Sequence, residues 1–328
     1  MIPEKLKIND EVRVVAPARS ISILNKEVVD LAVKRLKDLG LNVTYGKNIK
    51  SIDEFSSSSI QERVEDIHDA FSDNHVKAIL SVIGGFNSNQ ILSQLDYELI
   101  KNNPKIICGF SDITALNNAI YAKTGLTTYS GPHFFSFGMK KGLDYTIDYF
   151  KKCLMSDDVI DIEPSTEWSD DPWFQNQEDR IFIENQDYII INEGCAEGIS
   201  IGGNLCTFNL LQGTDYMPSF ENSILLIEDD NLIEEYFAYE FDRNLQSLVH
   251  QKDFKGVKGI IIGRFQKACN INLEKLKKII SSKKELSEIP IIYGVDFGHT
   301  TPIITFPIGG SIKVKAENNK VKLSIIKH

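Results

Sequence analysis

Hydrophobic and polar positions follow two alternating periods along the first half of the chain. Short apolar runs rich in Val and Ile, such as "EVRVVAP", "LNVTYG" and "AILSVIGG", are typical of buried strands. Between them lie stretches with helical spacing, such as "LNKEVVDLAVKRLKDLG" and "IQERVEDIHDAFSD". The alternation of strands and helices predicts an α/β fold with a mostly parallel sheet covered by helices on both faces.

The regular pattern stops between residues 156 and 180. This stretch, "SDDVIDIEPSTEWSDDPWFQNQEDR", is acidic and has no clear hydrophobic period. We therefore predict an N-terminal domain over residues 1–160, a linker or lid loop over 161–182 and a C-terminal domain over 183–328. Trp168 and Trp173 lie in the loop. They either fold back onto the core or form a platform for a ligand.

The second half has its own strands and helices. Strand-like runs are "AEGISIGGN", "SILLIEDD", "VKGIIIGRF" and "IPIIYGVDFGHT", and "LIEEYFAYEFDRNLQSLVHQ" has helical spacing. At the end, "SIKVKA" and "KVKLSII" are joined by the turn "ENNK", which predicts a β-hairpin.

The composition excludes several classes of protein. The chain is 42% hydrophobic and 25% charged, and its net charge of −10 argues against a nucleic-acid surface. No apolar run suits a signal peptide or the roughly 20 residues of a membrane span. The five cysteines, at positions 108, 153, 195, 206 and 269, form no C-x-x-C pair. We expect a cytoplasmic protein with reduced thiols, without a membrane anchor or a structural zinc.

Three apolar strands are each followed by a side chain that suits acyl transfer. "KIICGF" precedes Ser111, "SILLIE" ends at Glu228, and "IPIIYGVDFG" precedes His299. Ligands of open α/β sheets bind beyond the carboxyl ends of the strands. A serine nucleophile needs a base, and the base needs a group that orients it. The order Ser, acid, His is that of α/β-hydrolases, but "GFSDI" lacks the last glycine of G-x-S-x-G.

Each of these residues also has a structural interpretation. Ser111 could cap the following helix, Glu228 could be one of several acidic residues at a helix start, and His299 could be a structural histidine. His133, which follows "GP", is the rival base. Cys108 is a rival nucleophile, although its place inside a strand favours a core residue.

Donors for an oxyanion are offered by the loop "SVIGGFNSNQ". Gly84 and Gly85 close a strand and permit a close approach of the backbone. The amide of Asp112, next to Ser111, is the second candidate. One such donor typically contributes about 3–4 kcal/mol to lowering a barrier. Because glycines before a helix also suit anions, phosphate binding is the competing interpretation of this loop.

Six separated segments resemble one protein family. They are "IGGFNSNQILSQLDY", "NPKIICGFSDITAL", "KTGLTTYSGP", "IGGNLCTFNLLQGTDYMP", "LLIEDD" and "FGHTTPIITFPIGG". In this order they resemble the LD-carboxypeptidases, a serine peptidase family that includes muramoyl-tetrapeptide carboxypeptidases and microcin C immunity proteins. The resemblance covers nearly the whole chain.

The resemblance implies a catalytic triad of Ser111, Glu228 and His299. It also implies oxyanion donors at Gly84 or Gly85 and at the Asp112 amide, with no metal and no organic cofactor. The implied fold is a flavodoxin-like, glutamine-amidotransferase-like parallel-sheet domain followed by a smaller, β-rich C-terminal α/β domain. Members of the family commonly form homodimers, so a homodimer is expected.

Two branches of the family differ in substrate. One removes the terminal D-alanine from a muropeptide tetrapeptide, and the other hydrolyses peptidyl- or aminoacyl-nucleotide antibiotics. "GGFNSNQ", "KTGLTTYSGP", "DYMP" and "HTTPIITFPIGG" are closer to the second branch, whereas Gly298 before His299 is as in the first. The second branch stacks a loop tryptophan on its nucleotide. Trp173 is the first candidate for that role, and Trp168 is the second.

Two questions stay open at this point. The protein could instead be a non-catalytic sensor that binds a nucleotide or muropeptide through the glycine loop and Trp173. The residue that binds a substrate carboxylate is also undetermined. Arg19 in "APARS" and Arg243 in "FDRNL" are possible, but both could equally form structural ion pairs.

Overall fold

The computed structural model describes all residues from 1 to 328. In chain order the strands are β1 (Glu11–Val15), β2 (Asn42–Tyr45), β3 (Val76–Ser81), β4 (Ile106–Cys108), β5 (Thr128–Ser130), β6 (Ile160–Ile162), β7 (Glu167–Trp168), β8 (Ile183–Glu184), β9 (Ile189–Asn192), β10 (Gly194–Asn204), β11 (Ser223–Glu228), β12 (Val257–Gly263), β13 (Ile291–Val295), β14 (Phe306–Ile308), β15 (Ser311–Glu317) and β16 (Lys320–Lys327). The α-helices are α1 (Lys26–Asp38), α2 (Ile60–Ser72), α3 (Tyr97–Asn102), α4 (Ile113–Thr124), α5 (Asp144–Met155), α6 (Leu205–Asn209), α7 (Phe237–Val249) and α8 (Leu273–Ser281). None of the helices has both the length and the apolar character needed to cross a bilayer.

The first sheet has the order β14-β5-β4-β3-β1-β2. Strands β1 to β5 are parallel and follow the 2-1-3-4-5 order of flavodoxin-like folds, which confirms the predicted parallel α/β architecture. The hydrophobic pattern did not predict β14, which pairs antiparallel with β5. Its sequence, "FPI", is short and contains Pro307, which a sheet tolerates at an edge strand.

The second sheet has the order β6-β16-β15-β10-β11-β12-β13-β9. Its centre, β10 to β13, is parallel, and the flanking strands are antiparallel. The predicted terminal hairpin is confirmed as β15 and β16. Asn318 and Asn319 in its turn have φ of 53° and 59°, the left-handed values that a two-residue type I′ turn requires.

The stretch between residues 156 and 180 contains more regular structure than its pattern indicated. Strand β6 pairs with β16, and β7 forms a small sheet with β8. β6 therefore adds an N-terminal segment to the second sheet, as β14 adds a C-terminal segment to the first. A three-residue strand gives no readable alternation, which explains why the periodicity missed both. The division at residues 160 and 182 stays a prediction.

Helix α4 fixes the two sheets relative to each other. Nine of its 12 residues are buried, and two of its buried polar side chains, Thr114 and Asn118, are hydrogen-bonded to β10. The Asn118 amide donates to Gly202 O and accepts from Gly202 N, at 2.8 and 3.1 Å. Thr114 Oγ1 accepts from Asn204 N at 3.0 Å. The start of α4, where Ser111 lies, is thereby held against the strand that pairs with β11.

Candidate active site

Ser111 lies in a tight turn between β4 and α4. Its φ is +58°, a left-handed conformation that costs a non-glycine residue roughly 1–2 kcal/mol. The Ser111 hydroxyl makes no capping bond to the helix, and its one hydrogen-bond partner is His299. The helix-cap interpretation therefore finds no support, and the backbone strain is of the kind found at functional turns.

Gly109 makes this turn possible without the second glycine of a standard elbow. A Cβ at residue 109 would lie 2.2 Å from Ser81 Oγ and 3.1 Å from Ile113 Cγ2. Ile113, which stands where G-x-S-x-G has glycine, is fully buried in the core beneath the helix. The close approach thus requires glycine before the serine but accommodates isoleucine after it.

His299 connects Ser111 to Glu228. Its Nε2 lies 3.0 Å from Ser111 Oγ, and its Nδ1 lies 2.8 Å from Glu228 Oε2. A carboxylate only accepts, so Nδ1 carries a proton, and in the neutral imidazole Nε2 presents its lone pair to the serine. The imidazole is 20% exposed and the carboxylate 2% exposed. This arrangement can take the proton of the Ser111 hydroxyl.

Two glycines make the space that Glu228 occupies at the end of β11. Gly298 has φ +103°, and a Cβ there would lie 2.5 Å from Glu228 Oε2. A Cβ at Gly263 would lie 2.9 Å from Glu228 Cβ. The glycine before His299 is therefore required by the position of the carboxylate behind the imidazole.

The electrostatics around His299 favour its charged form. Burial alone would lower its pKa, but the charge and hydrogen bond of Glu228, with Asp230 and Asp229, raise the pKa to about 9. Asp230 Oδ2 lies 3.9 Å from His299 Nε2. Burial, followed by the neighbouring Glu228 and Asp230, raises the pKa of Asp229 to about 8. The acidic surroundings stabilise the imidazolium that forms when Ser111 loses its proton.

The rival base, His133, lies behind the site. Its Nδ1 is 2.7 Å from Ser81 Oγ, and its ring stacks on Phe110 at a centroid distance of 4.3 Å. Phe110 in turn contacts the edge of His299. Burial, with His299 and Arg19 nearby, lowers the pKa of His133 to about 3. His133 makes no hydrogen bond to Ser111, so it supports the site through packing.

Two other residues considered from the sequence do not line the cavities at Ser111. Cys108 is buried in β4, and burial raises the pKa of its thiol well above the usual value. Trp168 lies in β7, where its ring is covered by Arg264 and Lys267 at 5.0 and 5.5 Å. The structure therefore brings neither residue to the nucleophile.

The glycine loop lies directly against Ser111. A Cβ at Gly84 would lie 3.0 Å from Ser111 Cβ and 3.5 Å from Asp112 N. The backbone amides of Gly84, Gly85 and Asp112 donate no hydrogen bond within the protein. Free N–H groups of Gly84 and Asp112 therefore lie next to Ser111, and that of Gly85 follows in the loop, against Arg19. Free donors beside the serine are what an oxyanion site requires.

The carboxylate of Asp112 ties the glycine loop to the turn of the serine. It accepts from the backbone N–H groups of Asn87 and Ser88 at 3.1 and 3.0 Å. The Ser88 hydroxyl returns a bond to Asp112 O at 2.6 Å. Asp112 is 3% exposed, and burial raises its pKa even though these bonds oppose the shift. These contacts fix the loop in register with Ser111.

Ser111 opens onto two cavities. The larger, of about 480 Å³, is lined by Arg19, Asp170, Asp171 and Asp230 among other residues. It also has a group of aromatic side chains, which are Phe86, Phe110, Phe135, Trp173, Phe174, His133 and His299. The smaller, of about 240 Å³, is lined by apolar residues together with Asp112, Asp229, Asp230 and Glu240. No group of three or more His, Cys, Asp or Glu side chains is placed to hold a metal ion.

Trp173 both packs into the protein and lines the larger cavity. It is 8% exposed, contacts Val28 and Met139, and lies 4.3 Å from Phe135 between ring centroids. The two interpretations of this residue are therefore compatible. Sequence reasoning missed its neighbour Phe174, and the adjacent candidate Trp173 was the signal that could have identified it.

Both halves of the chain match one protein family. Residues 12–131 match the LD-carboxypeptidase N-terminal domain, and residues 197–314 match the LD-carboxypeptidase C-terminal domain. The chain therefore belongs to the LD-carboxypeptidase family and is an enzyme of the serine peptidase class. The resemblance that the sequence segments indicated is confirmed.

Two relatives within the family are similar to this chain over its whole length. The Bacillus subtilis (strain 168) protein YocD is 56% identical over 328 residues, 100% of both chains. The crystal structure of an MccF-like protein from Bacillus anthracis str. Ames superposes with a TM-score of 0.99 at 54% identity and covers 100% of both chains.

The microcin C7 self-immunity protein MccF of Escherichia coli is more distant. It is 30% identical over 335 residues, covering 99% of this chain and 96% of MccF. Its structure in complex with aspartyl sulfamoyl adenosine superposes with a TM-score of 0.88 and covers 100% and 99% of the two chains. The fold confirms the predicted two-part α/β architecture.

Proposed function

We propose that the protein is a serine amidohydrolase in which Ser111, His299 and Glu228 form the catalytic triad. The observation that carries the proposal is the continuous pair of contacts, 2.8 and 3.0 Å, from Glu228 through His299 to Ser111. His299 takes the proton as Ser111 Oγ attacks the carbonyl carbon. Glu228 holds the Nδ1–H tautomer and stabilises the imidazolium.

The acyl-enzyme forms and is hydrolysed in two steps. The bond from Ser111 Oγ to the carbonyl carbon forms, the carbon–nitrogen bond breaks, and His299 gives its proton to the leaving nitrogen. Water then attacks the ester, His299 takes the proton of the water, and the acid and the free serine hydroxyl are released. The free amides at Gly84, Gly85 and Asp112 lie where they can stabilise the oxyanion of both steps.

For the substrate, we propose the amide bond of a peptidyl or aminoacyl nucleotide, as in antibiotics of the microcin C type. MccF, whose structure contains aspartyl sulfamoyl adenosine, shares the whole fold. The aromatic lining of the larger cavity suits the flat base of a nucleoside. Trp173 and the more exposed Phe174 are the side chains we propose to contact it.

A second candidate substrate is a muropeptide tetrapeptide, from which the enzyme would remove the terminal D-alanine. The family to which both parts of the chain belong supports this activity. A non-catalytic sensor is disfavoured, because a protein that only binds does not need a strained serine hydrogen-bonded to a histidine and a buried carboxylate.

A hydrolysis assay followed by mass spectrometry separates these candidates. The wild type and Ser111→Ala are each incubated with a muropeptide tetrapeptide and with an aminoacyl sulfamoyl adenosine. Release of sulfamoyl adenosine supports the proposed substrate, and loss of D-alanine supports the second. A fluorophosphonate probe reports the nucleophile separately. If neither substrate is cleaved and the probe does not label Ser111, the protein is not a serine hydrolase.

We further propose that the enzyme acts in the cytoplasm as a homodimer, as the resemblance to the family implies. Light scattering coupled to gel filtration tests the assembly. A mass of one chain at micromolar concentration would contradict the dimer.

A further inference from the structure

We infer that Arg19 binds an anionic group on the part of the substrate that leaves, within the larger cavity beside Ser111. The inference rests on the proposed hydrolysis and specifies the chemistry of its substrate. The group is a pair of negatively polarised oxygens next to the scissile nitrogen, which a carboxylate or a sulfamoyl or phosphoryl group provides.

Arg19 is held in place by the glycine loop that lies against Ser111. Its Nε donates to Gly84 O at 3.1 Å, and Gly84 itself lies against Ser111. A Cβ at Gly85 would lie 3.2 Å from Arg19 Cγ, so the glycine loop packs on the arginine stem. The guanidinium therefore has a defined position relative to the serine.

The charge of Arg19 has no partner within the protein. Arg19 forms no ion pair, and Nε is its only nitrogen with a hydrogen bond, which leaves both terminal nitrogens free. Burial lowers its pKa, while Asp112 acts in the opposite direction at longer range. A half-buried guanidinium without a carboxylate is unfavourable, and a bidentate anion would satisfy it.

The other arginine considered from the sequence behaves differently. Arg243 pairs with Glu240 at 3.0 Å on the surface, and its side chain is 74% exposed. The structure thereby decides between the two candidates for an anion site. Arg243 forms the ordinary ion pair, whereas Arg19 lines the cavity with its charge unpaired.

Arg19 is also the one positively charged side chain among the residues that line either cavity, apart from the histidines. The smaller cavity carries Asp229 and Asp230 and has no Arg or Lys. The larger cavity also carries Asp230, Asp171 and Asp170, the last paired with Lys267. Arg19 is therefore the only Arg or Lys beside Ser111 that can neutralise an anionic substrate group. This asymmetry gives the substrate a direction across the nucleophile.

The two proposed substrates share the group that Arg19 would bind. In a peptide ending in D-alanine, the carboxylate is two bonds from the scissile nitrogen. In an aminoacyl sulfamoyl adenosine, the sulfonyl oxygens are on the sulfur bonded to that nitrogen, and the acylated sulfamate is an anion. One arginine at one distance from Ser111 can therefore bind either leaving group.

The test compares charged substrates with neutral counterparts. The first pair is a tetrapeptide ending in D-alanine and its C-terminal amide. The second pair is an aminoacyl sulfamoyl adenosine and the neutral aminoacyl amide of 5′-amino-5′-deoxyadenosine. Arg19→Met should lower kcat/KM for the charged member by on the order of 10²-fold, because a buried charge partner is lost. The neutral member should change by less than about threefold.

Controls separate charge recognition from a structural role. Arg243→Met should leave both members of each pair unchanged, and Arg19→Lys should restore part of the preference for the charged member. If Arg19→Met lowers turnover of the charged and neutral members equally, Arg19 acts only through the Gly84 carbonyl and the inference is overturned. Arg19→Gln replaces the methionine variant if that variant does not fold by thermal melting.

A binding measurement keeps the inference testable even if the proposed hydrolysis fails. In the Ser111→Ala background, calorimetry measures the Kd of each charged and neutral substrate with and without Arg19→Met. Weaker binding of the charged member alone supports the anion site. Equal binding of charged and neutral members by the Ser111→Ala protein contradicts it, whatever the turnover. The substrate pair that shows the effect identifies whether the anion is a carboxylate or a sulfamate.

Discussion

The two cavities that meet at Ser111 differ in size, lining and charge. The larger, about 480 Å³, has a group of aromatic side chains and a single arginine, Arg19, which is unpaired. The smaller, about 240 Å³, has apolar walls with Asp229 and Asp230 and no Arg or Lys. Carboxylates line both cavities, with Asp170, Asp171 and Asp230 in the larger one, so Arg19 is the feature of charge that distinguishes the two. We therefore expect the position of Arg19, as well as the difference in shape, to decide which end of a substrate lies on each side of Ser111.

The largest effect is expected from replacing Ser111, which lines both cavities. Ser111→Ala should lower kcat by on the order of 10⁶-fold for every substrate, because no other hydroxyl or thiol is hydrogen-bonded to His299. Substrate binding should persist, since each cavity keeps its lining. Steady-state kinetics and calorimetry measure the two quantities, with the exposed Ser287→Ala as control. Retained turnover would show that another residue performs the attack.

The next effect concerns the group that orients the base. Glu228→Gln should lower kcat by about 10⁴-fold, since the amide does not hold the required His299 tautomer. In the wild type, kcat/KM should rise with pH toward about 9, because only neutral His299 can accept the proton of Ser111. The variant should lose that high apparent pKa. A pH–rate profile measures this shift, with the exposed Glu221→Gln as control, and an unchanged profile would remove Glu228 from the mechanism.

The three proposed catalytic residues could be predicted from the sequence because each lies at or just after the end of an apolar strand. Ser111, Glu228 and His299 come after β4, at the end of β11 and after β13, where the carboxyl ends of parallel strands meet. Hydrophobic periodicity locates such strands, and the polar residues at their carboxyl ends are then easy to identify. The resemblance of separated segments supplied the roles.

Other features depend on neighbours that are distant in the chain. Strands β6 and β14 are too short to show a period. The pattern therefore did not predict that β6 joins the second sheet and β14 the first. Whether Arg19 is paired depends on which carboxylates surround it in space, and a sequence shows only which are near it in the chain. The same holds for Phe135, which becomes part of the larger cavity by contact with Trp173.

A smaller effect should be confined to the larger cavity. Trp173→Phe keeps much of the packing on Val28 and Met139 but reduces the stacking surface. It should raise KM for an aminoacyl nucleotide by several-fold, within the roughly 1–3 kcal/mol of a full base-stacking contact. Turnover of a muropeptide should change little. Equal losses for both substrates would mean that Trp173 only supports the fold, and Trp168→Phe is the matched control outside the cavity.

The smallest expected effect is a change in the free energy of unfolding with pH, caused by His299 and Asp229. His299 has its pKa raised from 6.5 to about 9, so it binds its proton more tightly in the folded state. Its contribution is complete below about pH 6.5 and is lost as the pH rises through about 9. Burial raises the pKa of Asp229 from 3.8 to about 8, so its contribution also falls with rising pH, from about pH 3.8 until it is lost at about pH 8.

The free energy of unfolding should therefore fall between pH 6.5 and 9, over the range in which activity rises. We expect a change on the order of 1 kcal/mol in urea denaturation curves measured across this range. Asp229→Asn removes one titrating group and should flatten the curve, while Asp215→Asn, outside the site, should leave it unchanged. A wild-type curve with the same slope as that of Asp229→Asn would mean that Asp229 does not hold its proton above its ordinary pKa.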